Sequence, residues 1–242
     1  KEAAAAAVLD FLSTRILAAA RPEGQEGGLG QGVTLRRAIE ASLPFVSQAF
    51  ASQPLSEARL RMTLGASFFY LGDARLAAEQ YERARVLYFT TLGSENPSTL
   101  AAGNNLAICY ADLGRHADAL KLREETVRLY KAKLGPDHPD TLASMHNLAN
   151  GYAELGRCTE ALRLNEETLR RRRATLGPDH PDTLESMHNL AYCYKELGQH
   201  ADALRLNEET LARRRTRLGA AHPDTLSSMT NLATNYAELG RQ

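Results

Sequence analysis

The stretch Asp137–Gly177 reads DHPDTLASMHNLANGYAELGRCTEALRLNEETLRRRRATLG. It returns 42 residues later, from Asp179, as DHPDTLESMHNLAYCYKELGQHADALRLNEETLARRRTRLG. Over one full period, 30 of 42 positions are identical. The same frame runs upstream from Asn96-Pro97 to Gly135 and downstream from His222-Pro223 to the last residue. Leu71-Gly72, standing 42 residues before Leu113-Gly114, marks a fainter copy. A fixed period of this length belongs to solenoids, propellers and arrays, in which each unit buries its apolar face against the next.

Each unit carries two helical signatures. Pro139 suits the first helical position, where a missing N–H costs nothing, and Asp140 and Thr141 add acceptors and negative charge to the first turn. Leu142, Met145, Leu148, Ala149, Tyr152 and Leu155 then recur at helical spacing. Gly156 is the expected C-terminal cap, because glycine enters the left-handed region without steric penalty. The second helix starts near Cys158, carries Ala161, Leu162, Leu164, Thr168 and Leu169, and closes at Leu176-Gly177 before Pro178. HEAT or armadillo helices and propeller blades share this period. No unit holds a Trp-Asp pair or an alternating β-branched run, which argues against a propeller.

Leu148-Ala149, Tyr152, Gly156, Ala161 and Thr168 resemble the frame of the tetratricopeptide repeat. The 42-residue length with HPDTL and NLA motifs is similar to the repeats of kinesin light chains and their bacterial relatives. That resemblance covers Leu55 to Gln242 and implies an all-α fold, an α-solenoid built as a right-handed superhelix of helix pairs. The units run 55–94, 95–136, 137–178, 179–220 and a half-unit 221–242. The expected organisation is an N-terminal region of capping helices and Gly-rich loop, 1–53, before the solenoid, 54–242. About eleven helices and no strand are expected.

Composition narrows the function. Lys plus Arg equals Asp plus Glu at 29 each, so no overall field draws nucleic acid or an anionic membrane. Three cysteines without CxxC spacing point to a reducing, cytoplasmic setting with no disulfide framework. Cys109 and Cys193 share one repeat position and read as small buried hydrophobes. No run approaches the ~18 apolar residues of a membrane span.

Residues 1–20 read as an Ala-rich helix with Val8, Leu9, Leu12, Ile16 and Leu17 on one side. Its acidic residues and missing hydrophobic core argue against a signal peptide. Arg21 to Gly32 reads as a flexible Gly-rich loop. A helix from about Val33 to Phe50 follows, with Leu35, Ile39, Leu43, Val46 and Phe50 as its stripe and a kink at Pro44. The two helices are expected to cap the solenoid. Their order, FL…ILAAARPEG…VTLRRAIEAS…FASQPLSEARLRMTLG, resembles the segment that joins a serine/threonine kinase domain to C-terminal repeats in planctomycete-type bacterial kinases. No Gly-rich phosphate loop, HRD or DFG motif is present, so the piece reads as a non-catalytic arm, not an enzyme, needing no cofactor.

In tetratricopeptide stacks the first helix of each unit lines a concave groove. By that resemblance the groove positions are Ala143, His146, Asn147, Asn150, Ala153 and Glu154 in one unit, and Glu185, His188, Asn189, Tyr192, Lys195 and Glu196 in the next. Asn105, Asn147, Asn189 and Asn231 recur at one position. Their carboxamides could pair with a peptide backbone, as the resemblance implies, or bond a neighbouring helix. Asp112, Glu154, Glu196 and Glu238 form an acidic column, either facing a ligand or a solvated edge, with Lys195 as the one clear cation. Neutral or basic peptides are therefore favoured.

His138, His180 and His222 each precede a helix-starting proline, where a turn-packing role is expected. His146 and His188 stand roughly 10–20 Å apart by helix dimensions, too far to share one ion, so no metal site is expected. The basic runs Arg170–Arg173 and Arg213–Arg215 with Arg217 read as a solvated convex face, supported by Glu166 and Glu167 one turn earlier. Two functions result: a protein-interaction scaffold that takes a partner peptide or helix in its groove, or a structural spacer or oligomerisation arm. At the C-terminal end, Leu226, Met229, Leu232, Ala233, Tyr236 and Leu239 lack a following helix, which points to end-to-end self-association or cover by further chain.

Overall fold

The computed structural model describes residues 2–30 and 32–240, with the side chains of residues 2–5 and Glu238 also outside the description. Among the described residues every regular element is helical. The fold class is all-α, of the helical-repeat kind. Cα packing separates two compact units, residues 1–102 and 103–242, and each is considered by itself.

The first unit opens with α1 (Glu2–Phe11), which runs into a π-helical turn, Leu12–Ile16, and a 3-10 turn, Leu17–Ala20. The wider turn adds a residue to the local period and rotates the face that follows. At its end and beyond, Ile16, Ala18 and Ala19 are buried and Leu17 is exposed; before it Phe11 is buried and Leu9 exposed, although Leu9 and Leu17 are both expected on the apolar side. The loop after it is closed by backbone bonds from Leu29 to Ala19 and from Gly30 to Arg21.

Next, α2 (Leu35–Ser42) begins on a Thr34 cap, and a 3-10 turn around Pro44 separates it from the short α3 (Val46–Ala49). The missing N–H and ring of proline break the helix there. Val46 and Phe50 are buried as expected; Leu35 is exposed, because Ala38 and Ser42 face inward instead. Phe11 and Phe50 pack ring to ring, 5.8 Å between centroids.

The pair α4 (Pro54–Tyr70) and α5 (Ala74–Leu92) completes most of this unit. Gly65 lies under Tyr81, where an added Cβ would come within 2.8 Å of the ring. A buried polar knot ties the pair to the N-terminal segment. Arg61 donates to Glu57, Gln80 and Ser47 at 2.8, 2.7 and 3.0 Å. Arg36 reaches Asp73 at 2.6 Å. Neither link was visible in the sequence, since each joins residues from separate elements.

The division between units falls within α6 (Pro97–Asp112). The second unit continues with α7 (His116–Leu134), α8 (Pro139–Glu154), α9 (Cys158–Thr175), α10 (Pro181–Glu196), α11 (His200–Leu218) and α12 (Pro223–Glu238). Helices α8, α10 and α12 start alike. Proline occupies the first turn, and the histidine before it accepts a hydrogen bond at Nδ1 from the backbone N–H of Asp140, Asp182 or Asp224, each at 3.2 Å. His138, His180 and His222 are therefore N-caps, a role usually filled by Ser, Thr, Asp or Asn.

Thr141 and Thr183, both buried, donate to the carbonyls of Gly135 and Gly177, which fixes the turn before each of these helices. Gly156 and Gly177 have φ of +70° and +89°, so the glycines that end the helices sit in the region L side chains disfavour.

The core recurs with the period. Leu120, Val127, Leu142, Met145 and Leu148 form one cluster, and Leu169, Leu184, Met187, Leu190, Ala191 and Leu206 form the next. Leu155, counted with the apolar stripe, is exposed at its helix end. Tyr152, Tyr194 and Tyr236 each donate to a glutamate of the preceding helix, Glu124, Glu166 and Glu208, at 2.6–3.0 Å. In α12, Leu226 is 50% exposed and Met229 is partly buried, whereas their counterparts Leu184 and Met187 are buried.

Candidate functional site

The first helices of successive repeats, α8, α10 and α12, present the expected row of polar side chains, and neighbouring repeats join them. Asn147 donates to Asn104 at 3.0 Å. Asn189 donates to Asn150 at 2.7 Å and lies 3.4 Å from His146 Nε2. Asn231 lies 3.1 Å from His188 Nδ1. Three of the four recurrent asparagines thus each use a carboxamide N–H toward the preceding repeat, which leaves the carbonyl oxygens for other partners. Asn105 is half-buried, with the same position on α6.

His146 is buried, within 3.6 Å of Glu185 and 3.4 Å of Asn150. The hydrogen bond to His146 holds the Glu185 carboxyl below its ordinary range, against the opposing effect of burial. Burial pushes the His188 imidazole down, with Arg214 adding to the effect, so His188 favours its neutral form. Among the described residues no group of three or more His, Cys, Asp and Glu side chains is arranged to hold a metal ion.

Two cavities open between the helices, one repeat apart. The first, of about 290 Å³, is lined by Asn150, Ala153, Glu154, Asn165, Asn189, Tyr192 and Cys193. The second, of about 230 Å³, is lined by His188, Ala191, Tyr192, Lys195, Asn207, Asn231, Thr234 and Asn235. Adding 42 to Asn150, Ala153, Asn165, Asn189, Tyr192 and Cys193 gives six of the residues of the second cavity. Tyr192, 47% exposed, stands between the two. Asn165 and Asn207 come from the second helices α9 and α11, which the sequence reading left out of the site. Their recurrence at one period was the available signal.

The acidic column is present in part. Asp112, Glu154 and Glu196 are exposed, while the side chain of Glu238 lies outside the described residues. Lys195 is within 3.9 Å of Glu196. Lys195 is joined by a second cation that sequence reasoning missed. Arg123 of α7, only 5% exposed, crosses to α8 and donates to Glu154 at 2.9 Å.

The arginine runs also depart from expectation. Arg172 and Arg214, expected on a solvated face, are buried and donate to the Asp182 and Asp224 carbonyls and to Ser186 and Ser228, at 2.7–3.0 Å. Burial lowers both guanidinium pKa values from the ordinary one. Arg171 and Arg213 bridge Glu167 with Asp137 and Glu209 with Asp179. The runs join neighbouring repeats, which one helix viewed alone could not reveal.

Comparison with known proteins agrees with this geometry. The tetratricopeptide repeat family model matches residues 98–174 and 148–216. The crystal structure of the nearly identical TPR-like repeats of a Podosopora anserina kinesin light chain candidate is 33% identical. It has a TM-score of 0.69 and covers 78% of this chain and 90% of that one. BtubC (BKLC) from P. vanneervenii is 20% identical with a TM-score of 0.64, over 98% and 83% of the two chains. The apo form of RapI is 12% identical with a TM-score of 0.71, over 98% and 60%. The last two share the fold. A search of curated proteins found no match.

Proposed function

The chain belongs to the tetratricopeptide repeat family, with repeats of the kinesin-light-chain-like kind, and from that premise we propose that it is a non-catalytic scaffold whose first-helix face binds an extended segment or helix of a partner protein. One observation carries the reading: two asparagine-lined cavities repeat at the 42-residue period along that face, with Tyr192 exposed between them. A periodic set of open pockets suits a ligand that is itself a chain. Asn105, Asn147, Asn189 and Asn231 offer carbonyl oxygens to backbone N–H groups. Asp112, with Glu154 and Glu196 partly offset by Arg123 and Lys195, favours neutral to basic partners, with binding that weakens as salt rises. The N-terminal resemblance supports a place as the arm of a bacterial protein kinase in the cytoplasm.

The test is capture of partners from a lysate of the source cell by the wild type and by a Tyr192→Ala, Asn231→Ala double variant. Loss of the bound set with helicity retained supports the groove; an unchanged bound set overturns it. The exposure of Leu226 favours a second reading, end-to-end self-association through α12. Sedimentation that shows the same concentration dependence for wild type and Leu226→Glu would dismiss it.

A further inference from the structure

Asn104, His146 and His188 occupy one position of the frame, 42 residues apart, and each meets the asparagine of the following repeat. Asn147 donates to Asn104 Oδ1, Asn189 lies against His146 Nε2, and Asn231 against His188 Nδ1. A carboxamide oxygen accepts at any pH, whereas an imidazole nitrogen accepts only while it carries no proton. The two histidines differ in their surroundings. Burial favours neutral His188, with Arg214 adding to the effect. His146 has a carboxylate beside its accepting nitrogen, Glu185 at 3.6 Å. Ala143 and Ser227 stand in that place for Asn104 and His188.

His146 Nε2 therefore faces two kinds of partner. Asn150 Nδ2 and Asn189 Nδ2 each lie 3.4 Å away and need a lone pair there, while the Glu185 carboxylate needs a proton. All three contacts exceed the ~2.9–3.0 Å of a settled N–H bond, so the nitrogen is shared and its protonation decides which side it serves. The other ring nitrogen, Nδ1, is buried with no hydrogen-bond partner among the described residues. Glu185 lies in the field of Arg172 of α9 and Arg214 of α11, and His188 shares α10 with it. From α7, Arg123 is engaged with Glu154, about two turns further along α8. From α6, the neutral Asn104 stands beside Asn147.

We propose that protonation of His146 turns the wall of the cavity between α8, α9 and α10 from self-satisfied to donor-bearing, so that it takes a backbone carbonyl of the partner segment more tightly in acid. With Nε2 unprotonated, Asn150 and Asn189 direct N–H groups at it, and Asn189 also donates to Asn150 Oδ1 at 2.7 Å. A proton on Nε2 makes it a donor to Glu185, whose carboxyl this same contact already holds below its ordinary range. One N–H of Asn150 and the second N–H of Asn189 then lose their acceptor, while the bond from Asn189 to Asn150 stays. Both residues are half-buried and line the 290 Å³ cavity, so a carbonyl oxygen placed there replaces the lost acceptor. Asn189 Oδ1 remains for an N–H of the same segment. The assignment rests on the groove reading and adds its regulation: the gain is present while His146 is charged and disappears as pH rises.

NMR of the full chain between about pH 8 and about pH 5, the range in which imidazoles titrate, tests the switch without a ligand. The His146 ring nitrogens and the Asn150 and Asn189 side-chain amides are followed together. The expected result is that both carboxamides shift with the midpoint of His146. His146→Asn copies Asn104, so it keeps an acceptor for Asn189 and the fold, and its carboxamides stay flat over that range. Glu185→Gln keeps the shape, removes the charge and moves the response to lower pH. Carboxamides that ignore His146, or that titrate equally in His146→Asn, overturn the switch. For binding, the probe is a peptide without His, Asp or Glu, selected from displayed random sequences on the wild type at about pH 6. It is expected to bind about fivefold more weakly at about pH 8, the scale of one neutral hydrogen bond, and to lose that dependence in His146→Asn. Equal affinity at both pH values, or the same dependence in the variant, overturns the link to binding and leaves the groove reading standing. Failure to select any peptide overturns the groove reading and the link together.

Discussion

The junctions α7–α8 and α9–α10 occupy the same frame and are built from different chemistry. In the first, Arg123 lies over Gly151, and Tyr130 fills the position nearer the helix end. In the second, Asn165 faces Cys193, and Arg172 fills that end position. The apolar residues between them hardly change: Leu142 and Met145 become Leu184 and Met187. Repeat stacking is thus set by the apolar cluster, while the polar positions around it vary in compensating pairs. A long side chain meets a glycine, and a short one meets a cysteine. Close packing demands the pairing, since neither a void nor an overlap is tolerated without cost.

The largest effect should come from the end position. Arg172→Ala strips two hydrogen bonds from Ser186 and the Asp182 carbonyl and leaves a cavity, a loss of about 2–4 kcal/mol in chemical denaturation. Arg172→Tyr copies the upstream residue and should cost less than about 1.5 kcal/mol. Equal losses for the two would show that the junctions are not interchangeable.

Gly151→Cys places a side chain against Arg123 and should cost about 1–3 kcal/mol. Adding Arg123→Asn completes the downstream pair and should recover much of the loss. The double-mutant cycle should give a coupling of about 1–2 kcal/mol, and additivity would dissolve the pairing argument.

Asn189→Ala removes one inter-repeat hydrogen bond and should cost about 1 kcal/mol. Asn147→Ala should match it, as both serve the same position of the frame. A much larger loss at Asn189 would mean that the His146, Glu185 and Asn150 cluster acts as a unit.

The smallest difference is one of rate. Burial, with Asp112 adding to it, pushes the Cys109 thiol up to about 11, and burial raises that of Cys193 as well. Cys158 is partly exposed, so a thiol reagent should modify it first and reach the other two only on unfolding. Rapid reaction at Cys193 would indicate that the α9–α10 junction opens where the α7–α8 junction has no thiol to report.

The helical repeat, its 42-residue period, the proline starts, the glycine stops and the central apolar residues of each repeat, such as Leu142, Met145 and Leu148, are legible in the amino-acid order. All of these depend on local backbone preference and on the spacing of apolar side chains, which a linear chain displays directly. That order also marks the first-helix face, because variation and recurrence both show along a period. Tertiary structure alone decided where the long polar side chains go. Arg123 turns inward to a glycine 28 residues on; Arg172 and Arg214, embedded in runs that look solvated, reach the next helix; and Arg61 gathers partners from three elements. A flexible side chain chooses among partners by geometry that forms only once the helices have stacked. The same holds for Leu17, whose exposure follows a π-helical turn, and for Leu9 and Leu35, whose exposure follows from which face the folded neighbours cover.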